Sequence, residues 1–275
     1  GSFKVNISLP SNYVVVATGE CANANEFDAK GNPGLGDEVP LSATTFKTVT
    51  FIADNVHDFA WFASKRFGYL SKTVKIGDKE VIARVVASTP NKGDLAHIET
   101  ALTYYSENVG EYPYPHATAV HGELKAGGGM EYPMITICDQ MGEEVIIHEV
   151  GHNWFYGQVG NNETYRAALD EGFTQFLTAW GLERIDGDKM VQKLSSNNYI
   201  AKHTKQIHPR DRSVYYAYIK DATKNNTPQL NTHSDDFGSA LGHGGGYRHV
   251  YYKTAAMLFN LQYVLGDELF LEALK

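Results

Sequence analysis

The chain has 275 residues, 43% of them hydrophobic and 12% aromatic, which is enough to bury a core as one large domain or two smaller ones and too apolar for disorder. Its net charge of -8, with no basic run, argues against nucleic acid or an anionic membrane as the main partner. No apolar stretch approaches the ~20 residues of a membrane span. The two isolated cysteines, Cys21 and Cys138, leave disulfide pairing and redox compartment open.

The first ninety positions read as strands. Phe3, Val5, Ile7 and Leu9 alternate with polar neighbours, and residues 14–18, 45–53, 59–67, 73–76 and 81–87 are further runs of β-branched and aromatic side chains. Gly31-Asn32-Pro33-Gly34 and Gly77-Asp78 read as turns. Thr89-Pro90-Asn91 marks a boundary, so the expected domains are 1–89, β-rich, and 90–275, mixed. Beyond it, Leu95, Ile98, Leu102 and Tyr105 share one face of a helix over 92–109, which Tyr112-Pro113-Tyr114-Pro115 ends. Residues 117–124 and 134–139 read as strands. Gly127-Gly128-Gly129-Met130-Glu131 lies between them. Helices are expected over 143–156, 165–183, 187–199 and 249–265, with a turn at 157–162. There are no internal repeats.

The chemistry is concentrated in His148-Glu149-Val150-Gly151-His152 and in Glu171, with eighteen residues between His152 and Glu171. Histidines at i and i+4 lie on one helical face, one turn apart, so their imidazoles can grip one metal ion. Glu149 sits about 100° round the helix from His148. It can face an activated water and take its proton. A surface helix with two unrelated histidines is the plainer alternative. Against it, Val145, Ile146, Ile147, Val150, Trp154 and Phe155 wrap the segment in apolar side chains, and buried histidines need partners that a zinc ion supplies. The following helix can present Glu171 as third ligand, and Asp170 beside it can orient a ligand or lie in solvent.

Two further segments bear on function. The glycines before Met130 expose backbone on which another chain can pair as an added strand, with Glu131 placed to meet a free amino terminus. A flexible hairpin with a solvated glutamate is the alternative. Tyr251, in Tyr251-Tyr252-Lys253-Thr254, offers a hydroxyl to an oxyanion, though most of the 17 tyrosines must be packing residues.

Taken in order, the Gly-x-Met-Glu loop, the histidine pair with its distant glutamate and the Tyr-x-Lys segment resemble the aminopeptidase N family of zinc metallopeptidases, the gluzincins that include leukotriene hydrolase. The resemblance covers most of the chain. Gly128-Gly129-Met130-Glu131-Tyr132 stands where the family usually has Gly-Ala-Met-Glu-Asn, and Thr254 replaces a common glycine. The resemblance implies an α+β fold: the end of a saddle-like β domain, then a thermolysin-like catalytic domain, with the family's C-terminal helical domain absent. It implies one Zn2+ per chain on His148, His152 and Glu171, and Glu149 as general base. It also implies Tyr251 on the oxyanion, Glu131 on the substrate's α-amino group, and Gly128 and Gly129 along its backbone. The expected partners are peptides with a free amino terminus. Such an excised core is expected to turn over slowly.

A thermolysin-type endopeptidase, and a zinc-stabilised binding module without turnover, are the competing readings. His243 and His249 flank Gly244-Gly245-Gly246 in a loop that either covers the cleft or lies on the surface. His57, His97, His116, His121, His203, His208 and His233 show no ligand spacing and read as surface or supporting residues. The compartment is left open; a periplasmic or secreted protein with its signal segment removed is compatible with the sequence.

Overall fold

The computed structural model describes residues 1–23, 42–188, 190–191, 206–238 and 247–275. By their packing these form two compact units, one of residues 1–106 and 111–153, the other of residues 107–110 and 154–275.

The first unit is mostly sheet. Strand β1 (Ser2–Pro10) pairs antiparallel along its whole length with β4 (Phe46–Asp54), which also carries the short β3 (Glu20–Cys21). A ribbon of β2 (Val14–Ala17) and β5 (Trp61–Ser64) stands beside them. Alternation decides what β2 buries. Val15 joins Ile7, Leu9, Val49 and Phe51 in one apolar cluster, while Val16 joins Tyr69, Val86, Val120 and Ile135 in another. The second cluster sits on a five-stranded sheet ordered β6 (Gly68–Ile76), β7 (Lys79–Ala87), β8 (His116–His121), β10 (Ile135–Cys138), β9 (Gly129–Met130). β7, β8 and β10 run parallel, and helix α1 (Lys92–Asn108) makes the crossover from β7 to β8 that parallel strands require. β8 is buried along five of its six residues, as a central parallel strand must be. The short β9 ends the sheet. Helix α2 (Glu143–Gly151) follows β10.

One buried polar chain lies in this unit. Gly19 O can only accept, so His116 donates from Nε2 at 2.8 Å and accepts at Nδ1 from the Thr118 hydroxyl at 3.0 Å. Arg84 donates in turn to Thr118. Of the two readings left open for His116, surface or supporting, the surface one fails: the ring is buried, and these bonds satisfy it. Burial, and then the nearby Arg84 guanidinium, push it down to about 3. A cavity of about 430 Å3 opens beside Arg84 and His116, and no residue of the histidine motif lines it.

The second unit is helical: α3 (Glu163–Arg166), α4 (Glu171–Asp186), α5 (Tyr216–Thr223), α6 (Arg248–Leu265) and α7 (Asp267–Leu274), with a π-helical turn over Asp211–Tyr215 leading into α5. Phe176 is its hub, with ring centroids 4.6 Å from Trp180, 4.5 Å from Phe259 and 5.3 Å from Phe270. Arg210 pairs with Glu183 and lies over the Phe259 ring.

Three expectations need correction. The helix expected to run to residue 156 stops at Gly151, because Asn153 turns its amide back to Val150 O and Tyr156 reverses the chain at φ 103°. The helix expected from 165 divides: Asn162 caps the short α3 by accepting from Tyr165 N, and α4 starts at Glu171. Residues 187, 188, 190 and 191 are not helical. Gly187 caps α4 with φ 72°, and Met190–Val191 pairs as a strand with Gln206–Ile207. The rest of that expected helix, the 31–34 turn, His203 and the 243–246 loop lie outside the described residues. Cys21 and Cys138 are not joined by a disulfide, and burial raises Cys138. No helix of the described residues is long and apolar enough to cross a membrane.

Candidate functional site

In the first unit, α2 delivers three of the expected residues. Ile146, Ile147 and Val150 bury it, and Glu143 and Glu144 favour its N-terminal turn. His148 and Glu149 lie in its last turn, and His152 caps it in helical conformation, so the i, i+4 spacing survives although the helix is short. All three are buried. The His148 and His152 rings meet edge to face, with their Nε2 atoms 3.3 Å apart. Two imidazole lone pairs at this distance repel unless a proton or cation lies between them. Zinc with bonds of about 2.0–2.1 Å and a tetrahedral angle holds two nitrogens about 3.3–3.4 Å apart. The donor set and spacing therefore fit zinc.

Glu149 turns to another neighbour. A Cβ at Gly129 would lie 2.5 Å from the Glu149 carboxyl carbon, so the glutamate rests on bare backbone of β9. Glu131, two residues on, is buried as well, and Glu131, Glu149 and His152 each offer a ligand atom within 4.8 Å of the others. Two carboxylates this close create a potential that favours a cation, whether an ammonium or a metal.

The glycine loop reaches this place through its backbone. Gly127 and Gly128 both have φ near +70°, which side chains disfavour. Asp139 N then bonds Gly128 O at 2.9 Å, and Gly129–Met130 pairs with Ile137–Cys138. Because β9 is the last strand of the sheet, its other edge can accept an added strand.

Sequence reasoning missed Asn153. Its side chain accepts from Met134 N at 3.1 Å and donates to Val150 O at 3.0 Å, tying the end of α2 to the start of β10 beside His152. Only its place directly after the motif could have signalled this.

In the second unit, Glu171 opens α4, and the hydroxyl of Tyr251, in the first turn of α6, donates to its Oε1 at 2.6 Å. Asp170 is buried rather than solvated and accepts from Asn161. Lys253 turns away, donating to the carbonyls of Thr227 and Pro228. His249 packs edge-on against Phe237.

Residues 95–275 match a family model described as the peptidase family M1 domain. The fold is similar to that of an M1 zinc metallopeptidase from Deinococcus radiodurans, with a TM-score of 0.66 at 17% identity over 99% of this chain and 55% of that one. Its E323A mutant gives 0.66 at 16% over the same shares. The same mutant bound to a Tyr-Ser-Ala substrate gives 0.66 at 15%. The chain thus spans 55% of the length of these structures. No curated protein matches.

Proposed function

This chain belongs to peptidase family M1, and we propose that it is a zinc-dependent aminopeptidase hydrolysing the first peptide bond of substrates with a free amino terminus. One zinc ion per chain is held by His148, His152 and Glu171. Bound zinc supplies a Lewis acid, which acidifies water and polarises a carbonyl. The other steps belong to the chain's own side chains. The Glu149 carboxylate takes a proton from the attacking water and passes it to the departing amine. The Tyr251 hydroxyl turns from Glu171 to the developing oxyanion. Glu131 pairs with the substrate α-ammonium, and the backbone of Gly128 and Gly129 aligns the peptide as a strand on β9. Fixing the amino terminus beside Glu149 decides which bond is cut. In domain terms, 1–89 is a saddle-like β region and 90–275 a thermolysin-like catalytic domain.

The observation that carries this reading is the buried histidine pair with its Nε2 atoms 3.3 Å apart, next to a glutamate seated on Gly129. The closely placed Glu131 and Glu149 favour an ammonium and so an exopeptidase. A peptide mixture, half of it amino-terminally acetylated, tests the reading by mass. Single residues should leave only the free-amino peptides, and a chelator or Glu149→Gln should stop the reaction. Cleavage of acetylated peptides at internal bonds identifies a thermolysin-type endopeptidase instead, and no cleavage at all a binding module.

A further inference from the structure

We infer that Gly172 is a positioning residue: its missing side chain lets α4 seat against α6 closely enough for Tyr251 to reach Glu171. This rests on the reading of Glu171 as a zinc ligand. Gly172 follows Glu171 in the first turn of α4. A Cβ there would lie 2.3 Å from both Cβ and Cγ2 of Thr254 and 2.7 Å from Val250 O. Val250 and Thr254 are both buried, and they flank Tyr251 on α6. The close approach and the Tyr251–Glu171 bond therefore occur at the same level of the helix pair.

Distances decide what a methyl group would do. Ordinary carbon contact needs about 3.5–4.0 Å, so an alanine would part the helices by more than an ångström at this point. The Tyr251–Glu171 bond starts at 2.6 Å and is lost beyond about 3.5 Å. It does not survive such a shift. Neither partner can yield cheaply, since one is a carbonyl of the α6 backbone and the other a β-branched side chain fixed close to it. The Thr254 hydroxyl has no hydrogen-bond partner among the described residues, so Thr254 meets Gly172 through its shape alone.

The test compares wild type, Gly172→Ala and the double variant Gly172→Ala/Thr254→Gly, which removes the two closest atoms. Zinc affinity is read by competition with a chelating dye, and the Tyr251–Glu171 separation from crystals of the zinc-free proteins. Gly172→Ala should weaken zinc binding about tenfold or more and open the separation beyond hydrogen-bond range. The double variant still meets Val250 O at 2.7 Å, so it should recover part of both, and it keeps the test decisive if the single variant does not fold. An unchanged separation in Gly172→Ala, or a folded double variant without recovery, overturns the inference. Wild-type protein that binds no zinc defeats the zinc reading instead, while the crystals still test the contact.

Discussion

The hydroxyl of Tyr251 donates to Oε1 of Glu171 at 2.6 Å, joining residues eighty positions apart in the chain. It ties the residue proposed for the oxyanion to the carboxylate proposed for zinc. Tyr251→Phe removes the bond and the oxyanion donor while keeping the ring. The expected outcome in steady-state kinetics is a fall in kcat of about 10²–10³-fold, with KM little changed. A kcat equal to wild type would remove Tyr251 from the mechanism.

Gly129 makes a separate prediction about the general base. The space that the alanine of the Gly-Ala-Met-Glu pattern would need is filled here by Glu149. Gly129→Ala should displace that carboxylate and lower kcat at least about tenfold. Zinc content, measured by mass spectrometry, should stay at the wild-type level, because Glu149 is not one of the proposed ligands.

Asn153 should act on stability. Asn153→Ala leaves Met134 N buried without its acceptor, a loss of about 1–3 kcal/mol. Urea denaturation should show a lowered midpoint with an unchanged slope. A midpoint equal to wild type would mean that water replaces the side chain.

His116 sets a pH dependence. Its pKa falls from 6.5 in the unfolded chain to about 3 in the folded one. Between these values the unfolded state binds the extra proton, so stability rises with pH there. The contribution is fully present above about 6.5 and is lost as pH falls toward 3, amounting to roughly 4–5 kcal/mol at most. Denaturation midpoints from pH 4 to 7 should therefore climb steeply in wild type and less steeply in His116→Gln. Equal slopes would contradict the buried neutral ring.

The sequence carried these relationships unequally. The pairing of His148 with His152 was legible because a helical turn is local, and a spacing of four residues settles it. The alternation from Phe3 to Leu9 marked β1 for the same reason. The end of α2 at Gly151 was not legible. Apolar residues continue through Trp154 and Phe155, and only the bonds of Asn153 and the positive φ of Tyr156 stop the helix. Contacts across the fold were hidden altogether. Nothing near Tyr251 names Glu171, nothing near Gly129 names Glu149, and His116 finds its partner 97 positions away at Gly19. Loop closure over such spans is decided by packing of whole elements, which a pattern of neighbouring residues does not record.

The most direct test counts zinc in the native protein by mass spectrometry, for wild type and for His148→Ala, His152→Ala and Glu171→Ala. The account predicts one ion per chain in wild type, little or none in either histidine variant, and a weakly held ion in Glu171→Ala. Wild type purified with zinc present yet carrying none, or histidine variants that keep a full ion, would contradict it.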